Sequence, residues 1–542
     1  MEIIKLLRRF SPKMVNHITF MIFFTGVINA IILSIICAVA VSPEKNSFRF
    51  FMLYLGALVI FLISKKYGLI KAAVLAETAV SDVRMRIIDK LRHANLMLVE
   101  DLGRAFIHTR LTKDTMEVSM GFGAMIHTAQ AAVMVMFAIL FLGFISIPIF
   151  LMTLGIFAIC GMIYYASEKK VEALVHASTQ KETELFGFVN HMLDGFQELR
   201  MNQSKSDDLY NHYLSPASEQ TTDLKIKFFF QLTKNLILSL SFVHVLIISI
   251  IFVLPRYIVI PEPAIIQSVA IIFYVVGPFN HILGSISIFS RTTVAIENLY
   301  RFEEELNVED DNYISAGNSE LAEKEGFQQL QLSNFQFHYK DPEGNPSFSV
   351  GPCDLTINSN EILFIVGGNG SGKSTFLKLL TGLYYPMEGS ITLDEIRVGS
   401  YNYPDYRNLF SIIFTDFHLF DRLYGLKGIE PSKVNQLLRL MEIDNKTRFV
   451  DGGFSNINLS TGQKKRLALV AALLEDKKIY VLDEVAADQD PQFRKYFYET
   501  ILPDLKKQGK TIIAATHDDK YFHVADRVLK MEYGQFIPYA QD

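Results

Sequence analysis

The segment Ile362-Leu363-Phe364-Ile365-Val366-Gly367-Gly368-Asn369-Gly370-Ser371-Gly372-Lys373-Ser374-Thr375 holds the most informative chemistry in this chain. Five apolar residues of strand length run into a glycine-rich loop, and a helix is expected from Thr375 onward. Glycines at Gly367, Gly370 and Gly372 let backbone N–H groups around Asn369 and Ser371 approach the β- and γ-phosphates of a nucleotide without side-chain obstruction. Lys373 offers those phosphates a cation, and Ser374 offers a hydroxyl to a Mg²⁺ ion.

Working outward toward the C-terminus, a second apolar strand, Ile479-Tyr480-Val481-Leu482, ends in Asp483-Glu484. A carboxylate at the end of such a strand can hold Mg²⁺ through water, and the next can polarise an attacking water. A third strand, Thr511-Ile512-Ile513-Ala514-Ala515-Thr516, delivers His517 to the γ-phosphate edge. Between loop and acid pair lies Leu459-Ser460-Thr461-Gly462-Gln463, followed by Lys464-Lys465-Arg466-Leu467. Strand-like and helical runs alternate through this half, as in an α/β nucleotide-binding fold.

The region before residue 300 differs sharply. The chain has 542 residues, 50% of them hydrophobic and 20% charged, with a mean hydropathy of +0.23. So apolar an average at that charge content places the two properties in different domains. Six stretches are long enough to cross a bilayer as helices, at 18–41, 48–70, 124–145, 147–166, 236–254 and 264–288. The first exceeds a signal-peptide core and has no small-residue cleavage pattern. Phe144-Ile145-Ser146-Ile147-Pro148 parts two spans by a helix-breaking turn. Long polar segments, 71–123 and 167–235, read as helical continuations of the spans that turn around near 100–114 and 193–205. Lys5, Arg8, Arg9 and Lys13 precede the first span and both long segments are rich in Lys and Arg, while the opposite side shows mainly Lys45, Arg49 and Arg256. This bias puts both termini and the ATPase in the cytoplasm. Residues 1–305 therefore read as a membrane domain, 306–326 as an acidic, breaker-rich linker, and 327–542 as the nucleotide-binding domain. The net charge of −5 gives no sign of nucleic-acid binding. Cys37, Cys160 and Cys353 have no paired or metal-ligand spacing and read as packing residues.

The Ser-Thr-Gly-Gln element, in company with the phosphate loop and the Asp-Glu pair, resembles the signature of ATP-binding cassette (ABC) transporters. The likeness is to the exporter type, with a fused membrane domain first, and it spans nearly the whole chain. It implies a six-helix bundle of the type IV exporter kind followed by a P-loop cassette that hydrolyses MgATP. It also implies a homodimer in which Ser460, Gly462 and Gln463 of one chain close over the ATP held by the other. By the same resemblance Tyr339 stacks on adenine, Asp490 links the two sites across the dimer, and Glu484 with His517 carries hydrolysis. Thr461 stands where the family usually has glycine, and Thr415 where it has the Mg²⁺-sensing glutamine, with Asp416 next as a substitute metal residue. The Thr-Asp pair is similar to bacterial cyclic-peptide and siderophore-peptide exporters, such as those of syringomycin and a pyoverdine precursor. That likeness implies a peptide cargo and a bacterial inner membrane.

Polar residues inside spans are costly unless they face a bundle interior or a wet cavity. His127, Gln130, His244, Asn280 and His281 are thus candidates either for a cargo path or for helix–helix hydrogen bonds. Few charges lie within the spans, which suits a large amphipathic cargo better than a small ion. A lipid or multidrug exporter remains the alternative, followed by an ATP-gated regulatory protein that pumps nothing. The latter class is expected to lack a hydrolytic carboxylate, and Glu484 is present.

Overall fold

The computed structural model describes residues 11–41, 47–310, 320–321, 326–341 and 343–539. Lys5, Arg8, Arg9, Lys45 and most of the 306–326 linker lie outside them. The chain divides into two compact units, residues 1–89 with 104–305, and residues 90–103 with 306–542.

The first unit is helical: α1 (Pro12–Val41), α2 (Ser47–Leu91), α3 (Arg104–Ile145), α4 (Ile147–Asp194), α5 (Gln203–Tyr257) and α6 (Glu262–Asp310). Among the described residues these six are long and apolar enough to cross a membrane, and each contains one of the six expected spans. They extend well past the apolar stretches. At 1.5 Å per residue, the 45 residues of α2 measure about 68 Å, twice the hydrocarbon thickness. The polar continuations stay helical because they hold no proline and few glycines over residues 71–91 and 162–194.

Breaks fall where local chemistry requires them. Ser146 is extended (φ −158°, ψ 113°), and Pro148 begins the next helix with no hydrogen-bond donor to lose. After α2, Asn95 caps a short helix, Leu96–Leu102, by accepting from the Met97 amide at 3.0 Å, and Gly103 ends it at φ +74°. Residues 306–310, at the start of the expected linker, instead continue α6, which runs to Asp310. Glutamates are good helix formers, and no glycine or proline occurs there before Gly317.

Small residues set how closely the spans approach. A Cβ on Gly26 would lie 2.1 Å from Val133 Cγ1, and one on Gly121 2.1 Å from Thr292 Oγ1. Cys37, Cys160 and Cys353 are buried free thiols, consistent with a packing role. Phe20, Leu53, Ile63, Phe144 and Leu151 are among the large apolar side chains left on the outer surface, as lipid contact requires.

The second unit has strands β1 (Gln329–Lys340), β2 (Pro346–Asn358), β3 (Ile362–Val366), β4 (Glu388–Leu393), β5 (Ile396–Val398), β6 (Phe410–Ile413), β7 (Phe449–Val450), β8 (Gly453–Phe454), β9 (Ile479–Asp483), β10 (Thr511–Ala515), β11 (Arg527–Glu532) and β12 (Gln535–Ile537). One sheet has the order β12-β11-β3-β10-β9-β6, with β11, β3, β10, β9 and β6 parallel. Strands β3, β9 and β10 are buried along their whole length. That explains their unbroken apolar sequences, since both faces of a parallel sheet are covered. A second, antiparallel sheet has the order β2-β1-β4-β5. The main helices are α7 (Lys373–Leu380), directly after the phosphate loop, and α8 (Thr461–Glu475). The 96–102 helix belongs to this unit, where Leu96 and Met97 pack against the core that holds Phe376, Leu380 and Tyr384.

Candidate functional site

The site lies where three parallel strands end together. Register pairs Ala515 of β10 with Ile365 of β3 on one side and Asp483 of β9 on the other. The loop after β3, Asp483-Glu484 and His517 therefore emerge side by side at the carboxyl edge of the sheet, the usual place for ligands in such folds. In the loop, Gly370 (φ +75°) and Gly372 (φ +104°) adopt left-handed conformations that side chains disfavour.

A cleft of about 550 Å³ opens over this edge, lined by residues 369–375 with Tyr339, Phe348, Thr415 and Glu484. Its size suits a nucleotide. Lys373 is buried, donating to the carbonyls of Gly367 (2.9 Å) and Gly368 (3.2 Å), 3.1 Å from His517 Nε2 and 3.8 Å from Glu484 Oε1. Burial lowers its pKa, opposed by the charges of Glu484 and Asp483. His517 Nε2 meets Glu484 Oε1 at 3.0 Å. Glu484 has φ +53°, a strained backbone for a residue with a side chain, held by its amide bonding Ala515 O at 3.1 Å and by Lys465 Nζ on its carbonyl at 2.8 Å.

Asp483 Oδ2 accepts from Ser374 Oγ at 2.7 Å, whereas Oδ1 is buried with no hydrogen-bond partner. Burial raises the pKa of this carboxyl, opposed chiefly by the bond from Ser374. An orphaned carboxylate oxygen beside a hydroxyl is a pair of hard oxygen donors, which fits Mg²⁺. Asp416 is placed differently: it is exposed and makes no hydrogen bond or ion pair among the described residues. Thr415 lines the cleft instead, its Oγ1 3.5 Å from Asp483 O.

Tyr339 sits at the cleft mouth, its hydroxyl 3.3 Å from Thr375 Oγ1 and 3.5 Å from Tyr384 OH. Phe348, in the facing strand β2, shares that wall and was not singled out from sequence; an aromatic in an exposed β-strand carries no motif.

Ser460, Gly462, Gln463 and Asp490 do not line this cleft. Ser460 caps α8 in a reciprocal box: its side chain accepts from the Gln463 amide, and Gln463 Oε1 accepts from the Ser460 amide at 3.2 Å. The Ser-x-x-Gln spacing would have revealed this cap. A Cβ on Gly462 would lie 2.7 Å from Asp488 O, so the backbone there tolerates only glycine without rearrangement. Thr461 is the exposed first residue of the helix. Asp490 caps the helix Pro491–Tyr496, accepting from the Phe493 amide at 2.9 Å, and pairs with Arg466, whose guanidinium lies 3.8 Å from the Phe493 ring centroid. Arg466 was also missed, because only the tertiary fold brings α8 to residue 490.

In the helical unit the intramembrane candidates separate. Asn280 accepts from Ser239 Oγ at 3.3 Å and His244 bonds its own helix at Leu240 O, 2.8 Å away. His127, Gln130 and His281 instead line one cavity.

Comparison with known proteins places this geometry. A family model described as ABC transporter matches residues 350–487. The ATP-binding protein SyrD of Pseudomonas syringae pv. syringae is 31% identical over 538 residues, covering 96% of this chain and 94% of that protein. The lactococcin-A transport/processing ATP-binding protein LcnC of Lactococcus lactis subsp. lactis is 29% identical over 287 residues, 49% of this chain and 37% of that protein. Among solved structures, a bacterial Atm1-family ABC exporter with ATP bound superposes with a TM-score of 0.77 at 15% identity, covering 97% of this chain and 94% of that one, a likeness of fold. The chain thus belongs to the ABC transporter family as an exporter-type half-transporter, a multi-pass membrane protein whose ATP-binding cassette is an ATPase coupled to transport.

Proposed function

We propose that two copies of this chain form a homodimeric exporter of peptide-like cargo, set in a bacterial inner membrane with the cassettes and both termini in the cytoplasm. The observation that carries the dimer is the separation of Ser460 and Gly462 from the chain's own nucleotide cleft. A helix N-terminus whose amides can meet an anion serves no bound phosphate within one chain, and a second cassette facing it supplies one. The peptide cargo rests on the Thr415-Asp416 resemblance to cyclic-peptide exporters and on the likeness to a lactococcin-A transport protein. The cytoplasmic placement rests on the Lys and Arg bias.

Each cleft binds ATP through the 367–375 backbone and Lys373, with Tyr339 against the base. Ser374 and Asp483 would hold Mg²⁺, which would supply positive charge against the phosphates. Glu484, fixed by His517 and its own clamped backbone, orients a water in line with the γ-phosphorus and accepts its proton as the bond to the β–γ bridging oxygen breaks. Closure of the two cassettes drives the spans outward-facing, and hydrolysis resets them. The test is ATPase activity of purified protein in lipid, wild type beside Glu484→Gln, with and without cyclic peptides. Activity lost in Glu484→Gln and raised by peptide supports the reading. Equal stimulation by unrelated hydrophobic compounds replaces peptide export with multidrug export, and ATP binding without turnover overturns the ATPase mechanism.

A further inference from the structure

The cavity that gathers His127, Gln130 and His281 measures about 250 Å³ and lies among α1, α2, α3 and α6. Its charge is one-sided. Of its 12 lining residues Lys65 is cationic, two are histidines, and none is Asp or Glu. Lys65 is half-buried in α2, its Nζ lies over the Phe61 ring 5.4 Å from the centroid, and it has no carboxylate partner among the described residues. An ammonium among spans without a counter-charge is expensive, and such residues mark substrate paths.

Asn29 and Gln130 add amide donors, whereas the Thr25 hydroxyl donates to Met21 O at 2.7 Å and lies 2.9 Å from Ser64 Oγ. Tyr274 OH donates to Asn29 Oδ1 at 2.5 Å, which engages the oxygen end of that amide and leaves its NH₂ end as the available donor. Gln130 and His127 make no side-chain hydrogen bond among the described residues, although the His127 and His281 rings lie 5.9 Å apart. His281 Nδ1 is steadied by Ser285 Oγ at 3.4 Å, leaving its other nitrogen unengaged. Gly277 and Pro278 keep the α6 wall free of long side chains. Near the other wall Gly26 lets α1 close onto Val133 of α3, which limits the space. A drug-sized ligand needs roughly 300–1,000 Å³, so this cavity accepts one group of a larger molecule.

We infer that this cavity is a cargo subsite for a carboxylate, neutralised by Lys65 and hydrogen-bonded by Asn29 and Gln130, so that the exported molecule carries an anionic group or free C-terminus. This rests on the protein being an exporter of peptide-like cargo, and deepens that reading by naming the chemistry selected. In a site of low polarity the pairing of Lys65 with a carboxylate is worth far more than in water.

The test is binding to full-length protein in lipid nanodiscs, read by fluorescence, with two matched pairs of dansyl probes. One pair is an apolar hexapeptide with a free C-terminal carboxylate and the same peptide amidated; the other is N-octanoylglycine and its amide. Wild type is expected to prefer each carboxylate over its amide, and Lys65→Gln to weaken carboxylate binding about tenfold or more while leaving the amides unchanged. Lys65→Arg keeps the charge and is expected to retain binding, which excludes a folding defect as the cause. Equal binding of carboxylate and amide, no effect of Lys65→Gln, or no binding by any probe overturns the subsite. Peptide binding without carboxylate preference removes the subsite and leaves peptide export standing. Lys65-dependent binding of octanoylglycine with no peptide binding keeps the subsite and removes the peptide.

Discussion

Glu100, in the short helix between α2 and α3, accepts a hydrogen bond from Lys378 Nζ at 2.9 Å on the helix that follows the phosphate loop, and a second from the hydroxyl of Tyr384. Tyr384 is buried, stacks on Phe337 at 5.3 Å, and its hydroxyl lies 3.5 Å from that of Tyr339 at the cleft mouth. One carboxylate, covalently continuous with two membrane helices, is thus bonded to the helix after the phosphate loop and to a tyrosine beside the cleft mouth.

Removing either end of this contact has different consequences. The Glu100 side chain is 40% exposed, so its ion pair with Lys378 contributes under about 1 kcal/mol. Its bond to the buried Tyr384 hydroxyl matters more. Glu100→Ala strands that hydroxyl and should cost about 1–3 kcal/mol, whereas Tyr384→Phe removes donor and need together and should cost under about 1 kcal/mol. Adding Tyr384→Phe to Glu100→Ala should recover part of the loss. Thermal unfolding of the full chain in detergent measures all three; an additive double variant would refute the coupling.

Asp483 sets activity against stability. Burial raises its pKa, so the folded state favours the protonated form. A raised folded pKa means the stabilising contribution is complete below the unfolded aspartate value and is lost as pH rises through the folded value. Asp483→Asn, permanently neutral, should therefore gain stability relative to wild type as pH rises from the ordinary aspartate range toward neutrality, in the absence of nucleotide and Mg²⁺. Its ATPase activity should fall to background. Melting temperatures of both proteins between pH 4 and 8, a range of about four units around that titration, give the comparison.

Glu484 combines strain with chemistry. At φ +53° a glycine would relax the backbone, so Glu484→Gly should stabilise the cassette by about 1 kcal/mol. Glu484→Gln keeps the strain and the hydrogen-bonding shape. Both should lower ATP turnover by about 10²–10⁴-fold while retaining ATP binding. Single-turnover hydrolysis alongside nucleotide-binding titrations tests this, and a Glu484→Gln protein with ordinary turnover would assign the base elsewhere.

Gly121 of α3 packs directly against Thr292 of α6. A methyl group at 121 collides with the whole Thr292 side chain, which is fully buried. Gly121→Ala should destabilise by about 1–3 kcal/mol, and Thr292→Gly introduced with it should restore most of the loss. Unfolding in mild detergent, followed by the yield of folded protein, separates the pair from the single variant.

What the sequence by itself determined was everything governed by local spacing. Runs of apolar residues set six membrane helices, because length and hydropathy alone decide what crosses a bilayer. The loop from Gly367 to Ser374, the Asp483-Glu484 strand end and His517 were each legible as candidates for a phosphate site, since a glycine-rich turn and a strand-end acid need only neighbours in sequence. Even the capping of α8 was written in the Ser460 and Gln463 spacing. Tertiary structure decided whatever depended on residues far apart in the chain. It gave Thr415 and not Asp416 the place beside Asp483, because strand pairing of β6 with β9 fixes which residue of that loop faces the cleft. It set Ser460 and Gly462 apart from their own phosphate loop, and it sorted the polar residues of the spans. His244 and Asn280 became helix hydrogen bonds, while Lys65, Asn29, His127 and His281, from four different helices, came to share one cavity. Helical periodicity says which residues lie on one face of a helix, but only the packing of helices against one another says what that face meets.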